Sequence, residues 1–175
     1  MRAIFGVALL AGLVAGCATD SGTASNAAGP SEARAVLRDA AGKEVGQARL
    51  RKAGSGLRLS LQASGVAAGT HGVHLHTVGQ CNPPDFASAG GHWNPSGRQH
   101  GKDNPAGMHM GDLPNMSVGA DGKGSLDVTL DGASLSALLD ADGAAVVVHA
   151  TADDYKTDPS GNSGGRIACG VLTAS

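Results

Sequence analysis

The histidines constrain this chain more than any other feature. Six of the seven stand where metal ions would need them: His74 and His76 in Gly-Val-His-Leu-His, His92, His100 and His109 in a Gly/Pro/Asn-rich stretch ending at Asp112, and His149 after Val146-Val147-Val148. Neutral imidazole is the commonest nitrogen ligand for copper and zinc. In a strand, residues two apart point the same way, so His74 and His76 offer two rings to one ion, and His149 on a distant strand can supply a third. His92, His100, His109 and Asp112 form a second set, and three nitrogens with one carboxylate make a closed tetrahedral zinc site. Six imidazoles and a carboxylate exceed what one ion can use, so the chain reads as a two-metal site with one ligand shared.

The rest of the sequence favours strands around such a site. Glycine accounts for 28 of 175 residues and aromatic side chains for only 2%. Small aliphatic groups must therefore fill the core, and much of the chain must turn. Residues 35–50 read as two strands around a Gly42 turn, and Gly54-Ser55-Gly56 is a second turn. Leu57, Leu59 and Leu61 alternate with polar residues, as do Leu126, Val128 and Leu130, the period of a half-buried strand. Further strands are expected over 72–78, 144–150 and 166–173, with a helical turn or loop plug over 134–140. Short strands at this spacing indicate an all-β barrel or sandwich. Two long connections, 79–115 and 150–165, break the rhythm. Long loops in a compact domain are usually functional, and the first holds four candidate ligands.

The N-terminal segment lies outside this pattern. Met1-Arg2 is basic, and Ala3–Val14 is apolar but too short to span a bilayer. Val14-Ala15-Gly16-Cys17 resembles a bacterial lipobox, in which Cys17 is lipidated and becomes the mature N-terminus; the alternative is an ordinary signal peptide cut near Ala18. Residues 18–32 are small and polar and read as a flexible tether. Of three cysteines, an acylated Cys17 leaves Cys81 and Cys169, either as one disulfide in an exported protein or as two free buried thiols. The formal net charge of −2 gives no indication of nucleic acid.

Five motifs, in order, carry a family resemblance. They are His71-Gly72-Val73-His74-Leu75-His76, Ser88-Ala89-Gly90-Gly91-His92-Trp93-Asn94-Pro95, His109-Met110-Gly111-Asp112-Leu113-Pro114-Asn115, Val148-His149-Ala150-Thr151-Ala152-Asp153-Asp154, and Gly161-Asn162-Ser163-Gly164-Gly165-Arg166-Ile167-Ala168-Cys169-Gly170. Together they resemble copper/zinc superoxide dismutase over roughly residues 33–175. The resemblance implies an all-β Greek-key antiparallel β-barrel of immunoglobulin-like sandwich type with two long functional loops. It implies one copper on His74, His76, His92 and His149, and one zinc on His92, His100, His109 and Asp112, with His92 bridging. Arg166 would dock the anion beside copper. Asp153 would link His74 to His100, His71 would be structural, and Cys81 would pair with Cys169. The insertion Asn82-Pro83-Pro84-Asp85-Phe86 resembles bacterial members, and Trp93 stands where Phe is usual.

The expected organisation is thus a lipoprotein signal peptide over 1–16, a lipidated cysteine and tether over 17–32, and a dismutase domain over 33–175. The expected reaction is dismutation of superoxide in the cell envelope, at the periplasm or outer membrane, with Cys17 in the lipid bilayer. Monomer and homodimer both stay open. A copper-binding or copper-delivery module without the reaction is the alternative.

Overall fold

The computed structural model describes residues 29–175. Cys17 and the signal peptide, with most of the expected tether, lie outside the described residues.

Ten strands form: β1 (Glu32–Asp39), β2 (Glu44–Ala53), β3 (Gly56–Ser64), β4 (Gly69–His71), β5 (Val73–His76), β6 (Met116–Val118), β7 (Lys123–Leu130), β8 (Ala145–His149), β9 (Arg166–Val171) and β10 (Thr173–Ala174). Each pairing between them is antiparallel. The sheet runs β4-β6-β7-β3-β2-β1-β9-β8-β5, with β10 on β1. β3 therefore pairs with β7 rather than β4, and β1 with β9, the crossovers of a Greek key. The path begins at β4 and ends at β5, which only Gly72 separates in the chain. The sheet thus curls until its ends nearly meet, giving the expected all-β, almost closed barrel.

Alternation decides what fills it. Ala33, Ala35 and Leu37 of β1, Ala48 and Leu50 of β2, and Leu57, Leu59 and Leu61 of β3 point inward, while the intervening residues of β1 and β3 are mostly polar and exposed. The two strands that carry His74, His76 and His149 behave differently. β5 and β8 are buried along their whole length. Val73, Leu75, Val146 and Val148 face the barrel interior. Ala145 and Val147 face outward into a second cluster with Phe86, Ala89 and Cys169. His74 and His76, of opposite parity to Val73 and Leu75, share that outer side, where the 79–115 loop covers them.

Two expected boundaries shift. The strand over 72–78 stops at His76, because Thr77 and Val78 leave the ladder and donate to the Gly91 and Ala89 carbonyls instead. The strand over 166–173 breaks at Leu172, whose N–H turns to Ala144 O before β10 joins β1. β4 and β6, three residues each, are too short to leave a periodic trace in sequence. The 134–140 segment forms one helical turn, α1 (Leu135–Leu138), whose N-cap Ser134 hydroxyl accepts from Ala137 N–H. Its Leu135 and Leu138 plug the barrel. Among the described residues no helix is long and apolar enough to cross a membrane.

Candidate metal centre

Strand register sets the first cluster. His74 lies opposite Val147, and His76 opposite Ala145, so both rings rise from β5 beside β8. His149 ends β8 at an irregularity in the ladder that places it opposite Arg166. His92 reaches the same place from the loop, which pairs with β5 through isolated bridges His76–His92 and His74–Asp112. The His74 and His92 rings stack with centroids 3.9 Å apart.

In this cluster each ring spends one nitrogen on the protein. His74 Nε2 meets Asp153 Oδ2 at 2.7 Å, His76 Nδ1 meets Gly90 O at 2.9 Å, His92 Nδ1 meets Asp112 Oδ1 at 2.8 Å, and His149 Nδ1 meets Gly164 O at 3.3 Å. The opposite nitrogens (His74 Nδ1, His76 Nε2, His92 Nε2 and His149 Nε2) are buried without any hydrogen-bond partner. Buried polar atoms are rarely left so. These four residues also form a group whose ligand atoms all lie within 4.8 Å of one another. The atoms that lack a partner are thus the atoms that converge, and four convergent nitrogens suit copper.

Electrostatics keeps these lone pairs free. Burial, and then the neighbouring His92, push the His76 pKa down to about 2. Burial and then His74 push His149 down to about 3. Burial lowers His92 to about 4 against the pull of Asp112, and lowers His74 against that of Asp153. All four rings are therefore neutral at pH 7.

The second cluster closes on Asp112. Its Oδ1 lies 2.8 Å from His92 Nδ1, 3.0 Å from His100 Nδ1 and 3.1 Å from His109 Nδ1, and the last lies 3.3 Å from His92 Nδ1. A tetrahedron with bonds near 2.0–2.1 Å has edges of about 3.3 Å. The four donors thus stand close to the corners of a zinc polyhedron. Asp112 Oδ2 accepts from the N–H groups of Gly101 and His109, which holds the carboxylate in place. The group of ligand atoms that lie within 4.8 Å of one another around Asp112 has His92 and His100 with His74 rather than His109. The His74 Nε2 is taken by Asp153, however, so the free Nδ1 assigns His74 to the first. Burial works to raise the Asp112 pKa, but bonds to His100 and His92 hold it well below the usual carboxylate range. Burial opposes a charge on His100 as well, yet bonds to Asp112 and Asp153 raise its pKa to about 9.

The described domain matches one family across most of its length. The family model for copper/zinc superoxide dismutase (SODC) covers residues 44–172. The chain belongs to the copper/zinc superoxide dismutase family. A superoxide dismutase [Cu-Zn] from Deinococcus radiodurans is 43% identical over 153 residues, 81% of this chain and 84% of that one. The superoxide dismutase-like protein YojM from Bacillus subtilis is 46% identical over 138 residues, 75% and 70% of the two chains. The crystal structure of a SOD-like protein from Bacillus subtilis superposes with a TM-score of 0.76 at 43% identity, covering 80% of this chain and 97% of that one. The two clusters fit the one copper and one zinc per subunit of a copper/zinc superoxide dismutase.

Residues around the clusters complete the dismutase-type site. Asp153 accepts from His74 Nε2 through Oδ2 and from His100 Nε2, 2.9 Å away, through Oδ1, so one carboxylate spans both clusters. Asn115 fixes it by accepting from Asp153 N–H and donating to its carbonyl. His71 has both ring nitrogens at carbonyls, His149 O at 2.8 Å and Ala67 O at 3.0 Å, which leaves none for a metal. Cys81 and Cys169 form a disulfide across 88 residues of sequence. Arg166 donates to Phe86 O and Gly90 O, both at 2.7 Å. Burial lowers its pKa, with Asp85 opposing, and it stays cationic at pH 7.

Several contributors had no sequence signal. Phe86 and Gly90 act through carbonyls, which no residue type announces. Phe86 adopts a left-handed φ of 55°, uncommon for a bulky residue. Asp158 accepts from His100 N–H at 2.6 Å and so ties the two long loops together. Its place beside Pro159 was visible in sequence, but nothing local pointed to His100.

Proposed function

We propose that the chain dismutes superoxide at a copper held by His74, His76, His92 and His149, beside a zinc held by His92, His100, His109 and Asp112. The single observation behind this reading is the set of four convergent, neutral, partnerless ring nitrogens. Copper there would supply a one-electron couple, oxidising one superoxide to dioxygen and reducing a second to the level of hydrogen peroxide, while zinc has no redox chemistry of its own.

The chain's residues do the rest. Arg166 has a guanidinium fixed by two carbonyls, with its remaining donors left to dock an anion. His92 turns Nδ1 to Asp112 and leaves Nε2 without a partner, so its Nε2 can hold a proton in one half of the cycle and pass it to the departing peroxide in the other. Asp153, oriented by Asn115, fixes the tautomers of His74 and His100 and keeps the clusters in register. Cys81–Cys169 anchors the loop whose carbonyls aim Arg166.

The lipobox-like Val14-Ala15-Gly16-Cys17 supports an exported lipoprotein: signal peptide 1–16, acylated Cys17 and tether to 32, and the dismutase domain at 33–175. An acylated cysteine carries more than one chain, which makes anchoring durable. Superoxide crosses bilayers poorly, so an enzyme so placed protects the envelope.

The test is superoxide decay by the chain from Ala18 onward, loaded with copper and zinc. Fast decay that vanishes when copper is removed is expected. No decay with both metals bound would move the reading to a copper-handling module. Retention of stoichiometric zinc by His109→Ala would overturn the zinc assignment.

A further inference from the structure

The outward faces of β1, β2, β3 and β7 carry an unusual charge. Five of the eight arginines (Arg34, Arg38, Arg49, Arg51 and Arg58) project from β1, β2 and β3, and Lys123 begins β7 beside them. Register sets them side by side: Arg34 opposite Arg49, and Arg51 opposite Arg58. Only three carboxylates share the face. Glu32 is shared among Arg34, Arg49 and Arg51, Asp127 pairs with Arg58, and Glu44 lies 4.0 Å from Arg38. Six cations against three anions leave +3 on this face, while the whole chain carries −2, so everything else carries −5. The arginine side chains of the main row are 41–61% exposed, and Val36, an apolar residue, is 44% exposed among them.

Position adds a second argument. β2 is the fifth of nine strands on a path whose ends meet at Gly72, so it lies across the barrel from β5. The metal clusters sit on the outside of β5 and β8. The described chain also begins at this face, since β1 starts at Glu32. Fourteen residues lie between Cys17 and Glu32, and a chain of that length spans at most about 50 Å.

We propose that the β1-β2-β3-β7 face docks on the anionic phospholipid headgroups of a membrane, with the metal centre turned away from the bilayer. The orientation rests on the lipoprotein reading above; the affinity of the face for anionic lipid does not. Arginine forks suit phosphate. Each basic residue near an anionic surface favours binding by about five-fold, so a net +3 favours it by about 100-fold. A second copy on the same face would place +3 against +3, which disfavours self-association there.

The experiment uses the metal-loaded chain from residue 17 with Cys17→Ser, which cannot be acylated. It is sedimented at low ionic strength with vesicles of phosphatidylglycerol and phosphatidylcholine, or of phosphatidylcholine alone. A preference of about 100-fold for the anionic vesicles is expected, weaker in 150 mM salt, where the Debye length is about 8 Å, and lost in 1 M salt, where it is about 3 Å. Arg49→Gln, Arg51→Gln and Arg58→Gln together should abolish it, with metal content and superoxide decay at the parent's level. Lys102→Gln with Lys156→Gln, off this face, should leave it intact. Equal binding to both vesicles, no binding to either, or the same preference in the triple variant would each overturn the proposal. So would a concentration-dependent dimer that the triple variant abolishes, which would make the face a self-association surface. Failure of the superoxide assay would leave vesicle binding unaffected, so the two readings fail separately.

Discussion

At the scale of single residues, the site is organised by protons as much as by lone pairs. His100 has a pKa raised to about 9 and is protonated at pH 7.5, whereas neutral His92 keeps one N–H. On the proposed ligand sets, zinc uptake would expel the His100 proton, and filling both clusters would remove the last proton of His92. Calorimetry in buffers of different ionisation enthalpy should therefore count roughly one proton per zinc at pH 7.5, and about one more when copper follows. The zinc step should release less as pH rises through 9, because the group is then already deprotonated. Zero release at pH 7.5 would contradict the raised His100 pKa. Arg166→Ala is expected to keep both metals, to slow superoxide consumption by about 10-fold or more, and to weaken its dependence on salt. Unchanged kinetics at low ionic strength would remove Arg166 from the docking role.

At the scale of elements, what matters is how strands and loops hand residues to one another. The 79–115 loop lies on β5 through two single bridges, and Asp153 on the 150–165 loop joins both clusters. Asp153→Ala should lower affinity for copper and zinc together, by about 10–100-fold each, as read in competition with chelators. Loss at one metal alone would mean the carboxylate does not couple them. Gly161→Ala should do similar damage from a distance. Gly161 has φ +64°, and a Cβ there would press on the Asp153 carboxylate and stand 2.6 Å from His100 Nε2. The candidate ligands were legible in sequence because histidine and aspartate announce themselves, and the long strands because leucines alternate. β4, β6 and the carbonyls of Phe86 and Gly90 were not. Three-residue strands have no period, and a carbonyl belongs to every residue alike. Parity explains more: His74 and His76 could be placed on one face of a strand from sequence. That the loop would bury that face depended on contacts between residues far apart in the chain.

For the whole molecule, the barrel is held by small side chains, and it gains rigidity from cross-links. The Cys81–Cys169 disulfide closes an 88-residue span and ties the 79–115 loop to β9. Cys81→Ser with Cys169→Ser should cost up to about 4–5 kcal/mol, lowering the metal-free melting temperature by roughly 10–20 °C. A change of only a degree or two would show that the loop is secured by other means. The double variant should also lose activity out of proportion to its metal content, because the loop that aims Arg166 is then untethered. An all-β barrel or sandwich followed from composition and period, and the Greek-key order from the family resemblance. The near-closure at Gly72 did not, since it depends on which strands pair rather than on where they lie in sequence.

The Gly90 carbonyl accepts from both the His76 ring and the Arg166 guanidinium. The group proposed to catch the anion and one proposed to hold the metal are therefore hung from one peg. Any shift of the loop that re-aims one must tilt the other. On the proposed roles, capture and electron transfer are geared together, so a change of substrate preference at this position should bring a change in redox behaviour.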